Sequence, residues 1–231
     1  MTVIRLFDLA ADDPNRRFSP ACWKTRMALA HKGLEVETIP WRFTEKAAIA
    51  KSGQGSVPVV EIDGQWIADS WTIAEYLEGA FTDAPSLFGG DPGRALARFH
   101  NSWSDAVLVP GIFGLIALDI YERLAPQDRA YFRSSRESRI GMTLEAFAAG
   151  RDDRLEVFRK SLQPMRQTLK AQTYLGGEAP HYADYAVFGP LQWARCISPY
   201  QILEQDDRIW EWRERLLDLF GGLARSVPAY N

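Results

Sequence analysis

Apolar and polar positions follow two different rhythms along the chain. In the first third, short β-rich runs alternate with helical spacing. Val3–Leu9 (VIRLFDL) predicts a strand. From Pro20 onward, Trp23, Met27, Ala30 and Leu34 recur at intervals of 4, 3 and 4, which makes one apolar helical face. His31 and Lys32 close that helix, and Gly33 stands where a C′ glycine belongs. Glu35–Trp41 predicts a second strand, and Thr44–Lys51 a short helix. Val57–Ile62 and Gln65–Ala68, separated by Asp63-Gly64, predict a hairpin. Asp69-Ser70 then opens a helix that runs to about Leu77.

Beyond this β-α-β-α-β-β-α order the strand rhythm stops. Thr82–Gly93 (TDAPSLFGGDPG) is dense in turn formers and reads as a linker. After it, Leu96, Phe99, Trp103 and Ala106 are spaced 3, 4 and 3; Leu155, Phe158, Leu162, Met165 and Leu169 are spaced 3, 4, 3 and 4. Ile209, Trp212, Leu216 and Leu219 repeat the pattern. These spacings predict amphipathic helices whose apolar stripes pack on one another. The fold class is therefore a small α/β domain (1–81), a linker (82–92) and an all-α domain (93–231).

Composition narrows the function classes. The 231 residues carry 27 basic and 30 acidic side chains, interleaved, for a net charge of −3. No basic arm or stripe points to nucleic acid. The apolar run Ala106–Leu118 is too short to span a bilayer and is interrupted by Pro110, Gly111 and Gly114, so it predicts a buried, kinked helix and no membrane partner. The first ten residues hold no signal-peptide core, because Arg5 and Asp8 interrupt them. Cys22 and Cys196 lie far apart, which predicts free thiols and a cytoplasmic location. His31, His100 and His181 have no metal-ligand spacing, so no metal is expected.

Three local features can carry chemistry, and each also has a plain structural reading. Ser19 precedes Pro20 at a helix start. It is either a helix cap or a hydroxyl that donates to an anion held at the helix N-terminus. The frame Ser19-Pro20-Ala21-Cys22 matches a C-x-x-C redox turn with serine in the attacking position. Cys22, one turn into the helix, reads as a small buried hydrophobe. Val57-Pro58 is either a strand start that tolerates proline, or a cis bond presenting the Val57 backbone to a ligand. Asp69-Ser70 is either a cap or a second N-terminus able to hold a carboxylate.

Taken together and in this order, SPACWKTRMALAHKG, SVPVVEIDG and ADSWTIAEYLE, followed by a helical domain, resemble the glutathione transferases. The likeness covers essentially the whole chain, including GGEAPHYADYAVFG (Gly176–Gly189). That segment departs from the family pattern in placing His181, rather than Ser or Thr, three residues before Asp184. PQDRAYFRSSRE and AGRDDRL are similar to bacterial members that cleave β-aryl ethers of lignin fragments.

The resemblance implies a thioredoxin-like first domain, glutathione as co-substrate, no metal cofactor and a homodimer. It implies that Ser19 donates to the glutathione sulfur, Val57 pairs with the cysteinyl backbone, Pro58 is cis, and Asp69 and Ser70 hold the γ-glutamyl end. Arg42, Lys51 and Gln54 are equal candidates for the glycyl end. A hydrophobic electrophile would sit between the domains, with Trp103, Phe113, Tyr121, Trp193 and Tyr200 as lining candidates; core packing is the plain reading of each. A non-catalytic ligand-binding protein and a glutathione-dependent isomerase are the alternatives.

Overall fold

The computed structural model describes residues 3–230. The first domain runs β1 (Ile4–Leu9), α1 (Pro20–His31), β2 (Glu37–Trp41), a 3-10 helix (Lys46–Ser52), β3 (Val59–Ile62), β4 (Gln65–Ala68) and α2 (Ser70–Ala80). The sheet order is β2-β1-β3-β4, with β1 parallel to β2 and antiparallel to β3. Parallel strands need a crossover, and α1 supplies it. In the β3–β4 hairpin, Asp63 and Gly64 take φ of 48° and 87°, the left-handed pair a two-residue turn requires. This is the thioredoxin-like arrangement expected from the sequence.

The differences from expectation are local. β2 starts at Glu37, and β3 at Val59, so Val57 and Pro58 lie outside the sheet. The segment after β2 forms a 3-10 helix rather than an α-helix. Only Ile49 of it is buried, and Gly53 ends it at φ 71°. The largest difference is in α1. It is buried nearly all round, with Cys22, Trp23, Lys24, Thr25, Met27, Ala28 and Leu29 all inside, while Ala30 of the expected apolar face is only half-buried. The helix lies between the sheet and the helical domain, so one apolar stripe does not describe it.

The second domain is helical: α3 (Asp91–Trp103), α4 (Val109–Arg123), α5 (Pro126–Ile140), α6 (Leu144–Ala149), α7 (Arg151–Ser161), α8 (Gln163–Ala171), α9 (Tyr182–Ile197) and α10 (Arg208–Gly222). A π turn, Ser104–Leu108, joins α3 to α4. The Val109 N–H bonds the Ser104 carbonyl, five residues back, just before Pro110 removes a donor. The expected kink is thus absorbed into one continuous helical run, Asp91–Arg123. By length and composition this run is apolar enough to cross a membrane. Here Leu108, Ile112, Leu115, Ile116 and Ile120 are buried in the core, and α4 packs on α6, α7 and α9.

One expected stripe is redistributed and another is divided between two helices. Leu96 and Phe99 are 42% and 66% exposed, and α3 buries Ala97 and Asn101 instead. The run Leu155–Leu169 is two helices, α7 and α8, which meet at Leu162 (φ −81°, ψ 0°) with Pro164 in the first turn of the second, while Phe158, Leu162, Met165 and Leu169 are buried as the spacing predicts. In α10, Leu219, Phe220 and Gly221 leave helical geometry, and Leu219 packs only half-buried on the core beside buried Ile209, Trp212 and Leu216. Both cysteines are free and buried.

α9 is the centre of the molecule, with all but one of its residues buried. Its interior Pro190 cannot donate to the Ala186 carbonyl four residues back, and Ser104 Oγ donates there instead, at 2.6 Å. Its start is held by Asp184, whose buried carboxylate accepts from the N–H groups of Leu175, Gly176 and His181 and from Trp212 Nε1, at 2.7–3.1 Å. The His181–Asp184 departure therefore keeps the half of the capping box made by the aspartate. Gly189 faces α1, where an added Cβ would collide with the Pro20 carbonyl oxygen and lie 3.1 Å from Lys24 Cγ.

The collision at Gly189 is with backbone, which cannot rotate away. Gly189→Ala is expected to cost about 1–3 kcal/mol. Thermal unfolding followed by circular dichroism should show the midpoint falling by roughly 2–4 °C per kcal/mol; an unchanged midpoint would mean the two helices can separate freely.

Candidate functional site

Ser19 caps α1. Its backbone is extended (φ −68°, ψ 129°), and its Oγ accepts from the Cys22 N–H at 3.1 Å. A hydroxyl has two acceptor lone pairs and one donor, so this cap leaves the O–H free to donate. The first turn of α1 contains no acidic side chain to neutralise the positive end of the helix dipole. The segment leading to Ser19 is pinned: the Phe18 N–H bonds Leu9 O, Trp23 Nε1 bonds Arg17 O, and Arg17 Nε bonds Pro14 O. Beneath it, buried Asp8 pairs with Arg26 at 3.5 Å and Arg17 at 4.0 Å. Cys22 faces the interior, and burial raises its thiol pKa well above the ordinary value. It is a neutral thiol in the protein's ordinary pH range.

The opposite wall is formed by Gly55, Ser56 and Val57. The Val57–Pro58 peptide is cis. Neither the N–H nor the carbonyl of Val57 bonds another described residue. Asp69 caps α2 with a positive φ of 75°, a region seldom taken by L-residues. Its Oδ1 accepts from the Trp71 and Thr72 N–H groups and from Thr72 Oγ1, at 2.9–3.1 Å, which holds it there. Ser70 is buried. Its carbonyl accepts from Tyr182 OH at 2.8 Å, and its hydroxyl bonds no other described residue. The N-terminal end of α2 is thus tied directly to α9.

Between these walls and the helical domain lies a cavity of about 690 Å³, the size of a small-molecule site. Leu9, Phe18, Ser19 and Trp41 line it from the first domain, with Phe43 from the loop after β2. Val109, Pro110, Phe113 and Ile120 come from α4, Phe132, Arg136 and Arg139 from α5, and Trp193 from α9. Asp128, in the first turn of α5, accepts from the N–H groups of Phe43 and Thr44 and from Thr44 Oγ1, at 2.8–3.1 Å. This carboxylate holds the loop after β2 against α5 and so brings Phe43 and Phe132 together, with ring centroids 5.8 Å apart.

Of the five lining candidates, Phe113 and Trp193 are on the wall, while Trp103, Tyr121 and Tyr200 are not. Trp103 ends α3 and packs half-buried on the core elsewhere. Tyr121 lies under the Arg133 guanidinium, 4.2 Å from its ring centre. Tyr200 lines a separate hollow, bonded to Asp152 at 2.5 Å and covered by Arg151. Helical arithmetic on α4 explains the error: Val109 and Ile120 fall within about 40° of Phe113, whereas Tyr121 falls about 80° away. The 4, 3 spacing of Phe132, Arg136 and Arg139 on α5 was an available signal of the same kind. Trp41 and Phe43 gave none.

None of the three glycyl-end candidates lines the cavity. Arg42 donates to the Asp12 carbonyl and neighbours Glu45, Lys51 lies over Trp66, and Gln54 is exposed. Asp69 and Ser70 lie outside the cavity wall. No cluster of metal-binding side chains occurs among the described residues.

Comparison with known proteins identifies both domains. Residues 18–80 match the model of the glutathione S-transferase N-terminal domain, and residues 95–219 that of the C-terminal domain. The chain is 25% identical over 203 residues to glutathione S-transferase U26 of Arabidopsis thaliana, covering 84% of this chain and 79% of that protein. Its fold matches a glutathione S-transferase of Ceriporiopsis subvermispora solved in complex with glutathione, with TM-score 0.81, 24% identity and coverage of 98% and 99% of the two chains. It also matches glutathione transferase GSTFuA3 of Phanerochaete chrysosporium, with TM-score 0.77, 24% identity and coverage of 96% and 93%. With one model accounting for the sheet domain and the other for the helical domain, the chain belongs to the glutathione S-transferase family.

Proposed function

We propose that Ser19 stabilises the thiolate of bound glutathione for attack on a hydrophobic aromatic electrophile held in the cavity. The observation that carries this reading is the Ser19 hydroxyl, capping α1 through a lone pair, with the buried Cys22 thiol beside it, on the wall of an aromatic-lined hollow. A free thiol titrates near 8.5. One hydrogen bond to the charged sulfur is worth about 1.5–3 kcal/mol, and the helix N-terminus about 0.3–1 kcal/mol. At about 1.4 kcal/mol per pKa unit, together they lower the thiol by roughly one to three units, enough for substantial thiolate at neutral pH. Serine is too weak an acid to attack without a base beside it, so the imported sulfur is the nucleophile. Val57 offers its unpaired backbone groups to the cysteinyl part. Asp69, Ser70 and the start of α2 take the γ-glutamyl end. In the reaction a carbon–sulfur bond forms as the bond to the leaving group breaks. Where that group is an aryloxide, the same attack cleaves a β-aryl ether without a protein acid.

Ser70→Ala is expected to weaken glutathione binding by about 1–2 kcal/mol, roughly ten-fold, the worth of one charge-assisted bond. Titration calorimetry checks this, and equal affinities would remove Ser70 from the site.

Ser19→Cys places a low-pKa thiol at the helix start. Oxidised glutathione should add to it as a mixed disulfide, releasing one glutathione thiolate. The buried, neutral Cys22 is a poor resolving group, so the adduct should persist and transferase activity should fall. Mass spectrometry reads the adduct; an unmodified variant that turns over normally would reduce Ser19 to a cap.

β-Aryl ether cleavage predicts a free phenol and a glutathione conjugate in equal amounts from at least one stereoisomer of a carbonyl-activated model dimer. Chromatography detecting neither product would limit the chain to other electrophiles. Saturable glutathione binding with no turnover of any electrophile would instead favour a ligand carrier.

A further inference from the structure

We propose that the second substrate is an aromatic carboxylate, and that Arg136 and Arg139 bind its anionic group. This rests on the transferase reading above. The two arginines stand three residues apart on α5, hence on one helical face, and both line the cavity. Neither lies within 4.0 Å of an acidic side chain among the described residues. Their neighbour Arg133, one turn earlier, is by contrast fully engaged by Glu137 and Glu145.

Arg136 is ordered without being neutralised. Its guanidinium lies 4.8 Å from the Phe132 ring centre and 5.5 Å from that of Phe43, and donates to Ser135 Oγ at 2.9 Å. That leaves most of its five donors unused. Burial first, and then the like charge of Arg139, push its pKa down. A half-buried cation among apolar rings is costly until an anion joins it, and Arg139 adds a second positive charge at the exposed rim. The one acidic lining residue among those described, Asp105, does not serve: it is held at 2.6 Å by buried Lys24 and at 2.9 Å by Asn101. The planar guanidinium fork matches a carboxylate in two parallel bonds, and the surrounding rings match an aromatic body. Trp193, also on this wall, has a buried Nε1 with no hydrogen-bond partner among the described residues. The rival occupant is a carboxylate of glutathione itself.

The test uses 4-chloro-3-nitrobenzoate and its neutral methyl ester, which differ only in the anionic group. Each is titrated into protein saturated with S-methylglutathione, so that binding is read without reaction. The acid is expected to bind about ten-fold or more tighter than the ester. Arg136→Gln should abolish that advantage, Arg136→Lys should restore part of it, and Arg139→Gln at its exposed position should reduce it. Equal affinities in the parent protein would overturn the proposal, as would an acid preference that survives both Gln substitutions. A fall in S-methylglutathione affinity with the acid preference intact would overturn it too, assigning the cations to glutathione. Chloride release with glutathione is followed in parallel. In that reaction the thiolate forms the carbon–sulfur bond as chloride leaves. No release from either compound would count against the transferase reading, while the calorimetric result still decides the anion site.

Discussion

The close approach of α1 to α9 is the constraint on which the rest depends. Gly189 lets the α9 backbone sit against the Pro20 carbonyl, one residue beyond Ser19. The catalytic candidate is therefore held by the helical domain as much as by its own sheet. This is why α1 is buried on both sides, and why its sequence carries a lysine in the interior. Lys24, 1% exposed, reaches across the domain contact to Asp105 and Asn101. Burial pushes its pKa down, and Asp105 opposes that shift.

On another face of α9, a second contact accommodates the backbone defects of the helical domain. Pro190 opens the α9 ladder at Ala186, and the Ser104 hydroxyl closes it. Ser104 begins the π turn that carries the chain past Pro110 into α4. Two prolines in helices that must pack tightly are thus accommodated by one side chain and one bulge. The bulge sets the rotation of α4, and so decides that Phe113 and Ile120 face the cavity while Tyr121 does not. Asp128 fixes the remaining wall by binding the loop after β2.

The cavity built this way has two chemically distinct ends. One is made by the start of α1 at Ser19 and the unpaired backbone of Val57, and suits a peptide-like thiol. The other is made by aromatic rings with two unneutralised guanidiniums, and suits a flat, anionic body. Leu9 of β1 and Trp41 of β2 belong both to the core of the first domain and to this wall, so the ends of the two parallel strands fix the floor of the cavity.

Much of this was legible in the chain before any coordinates. The strand and helix order of the first domain follows from local rhythm, because each element there is short and its ends carry explicit signals: Ser19-Pro20, Asp63-Gly64, Asp69-Ser70. Those same signals mark the capping residues, since capping is a local hydrogen-bonding problem that sequence states directly. Tertiary structure decided what local rhythm cannot encode. Periodicity shows that a helix has an apolar face but not what it meets, so α1 was expected to be buried on one side and Leu96 and Phe99 were expected inside. It cannot see that Leu162 ends one helix and begins another, because the stripe continues across the break. The cavity wall is drawn from β1, the loop after β2, α4, α5 and α9, segments up to 184 residues apart from Leu9 to Trp193. Only packing sets the rotation of those elements about their axes. That rotation separates Phe113 from Tyr121, and it turns two arginines of a surface-looking helix toward the cavity.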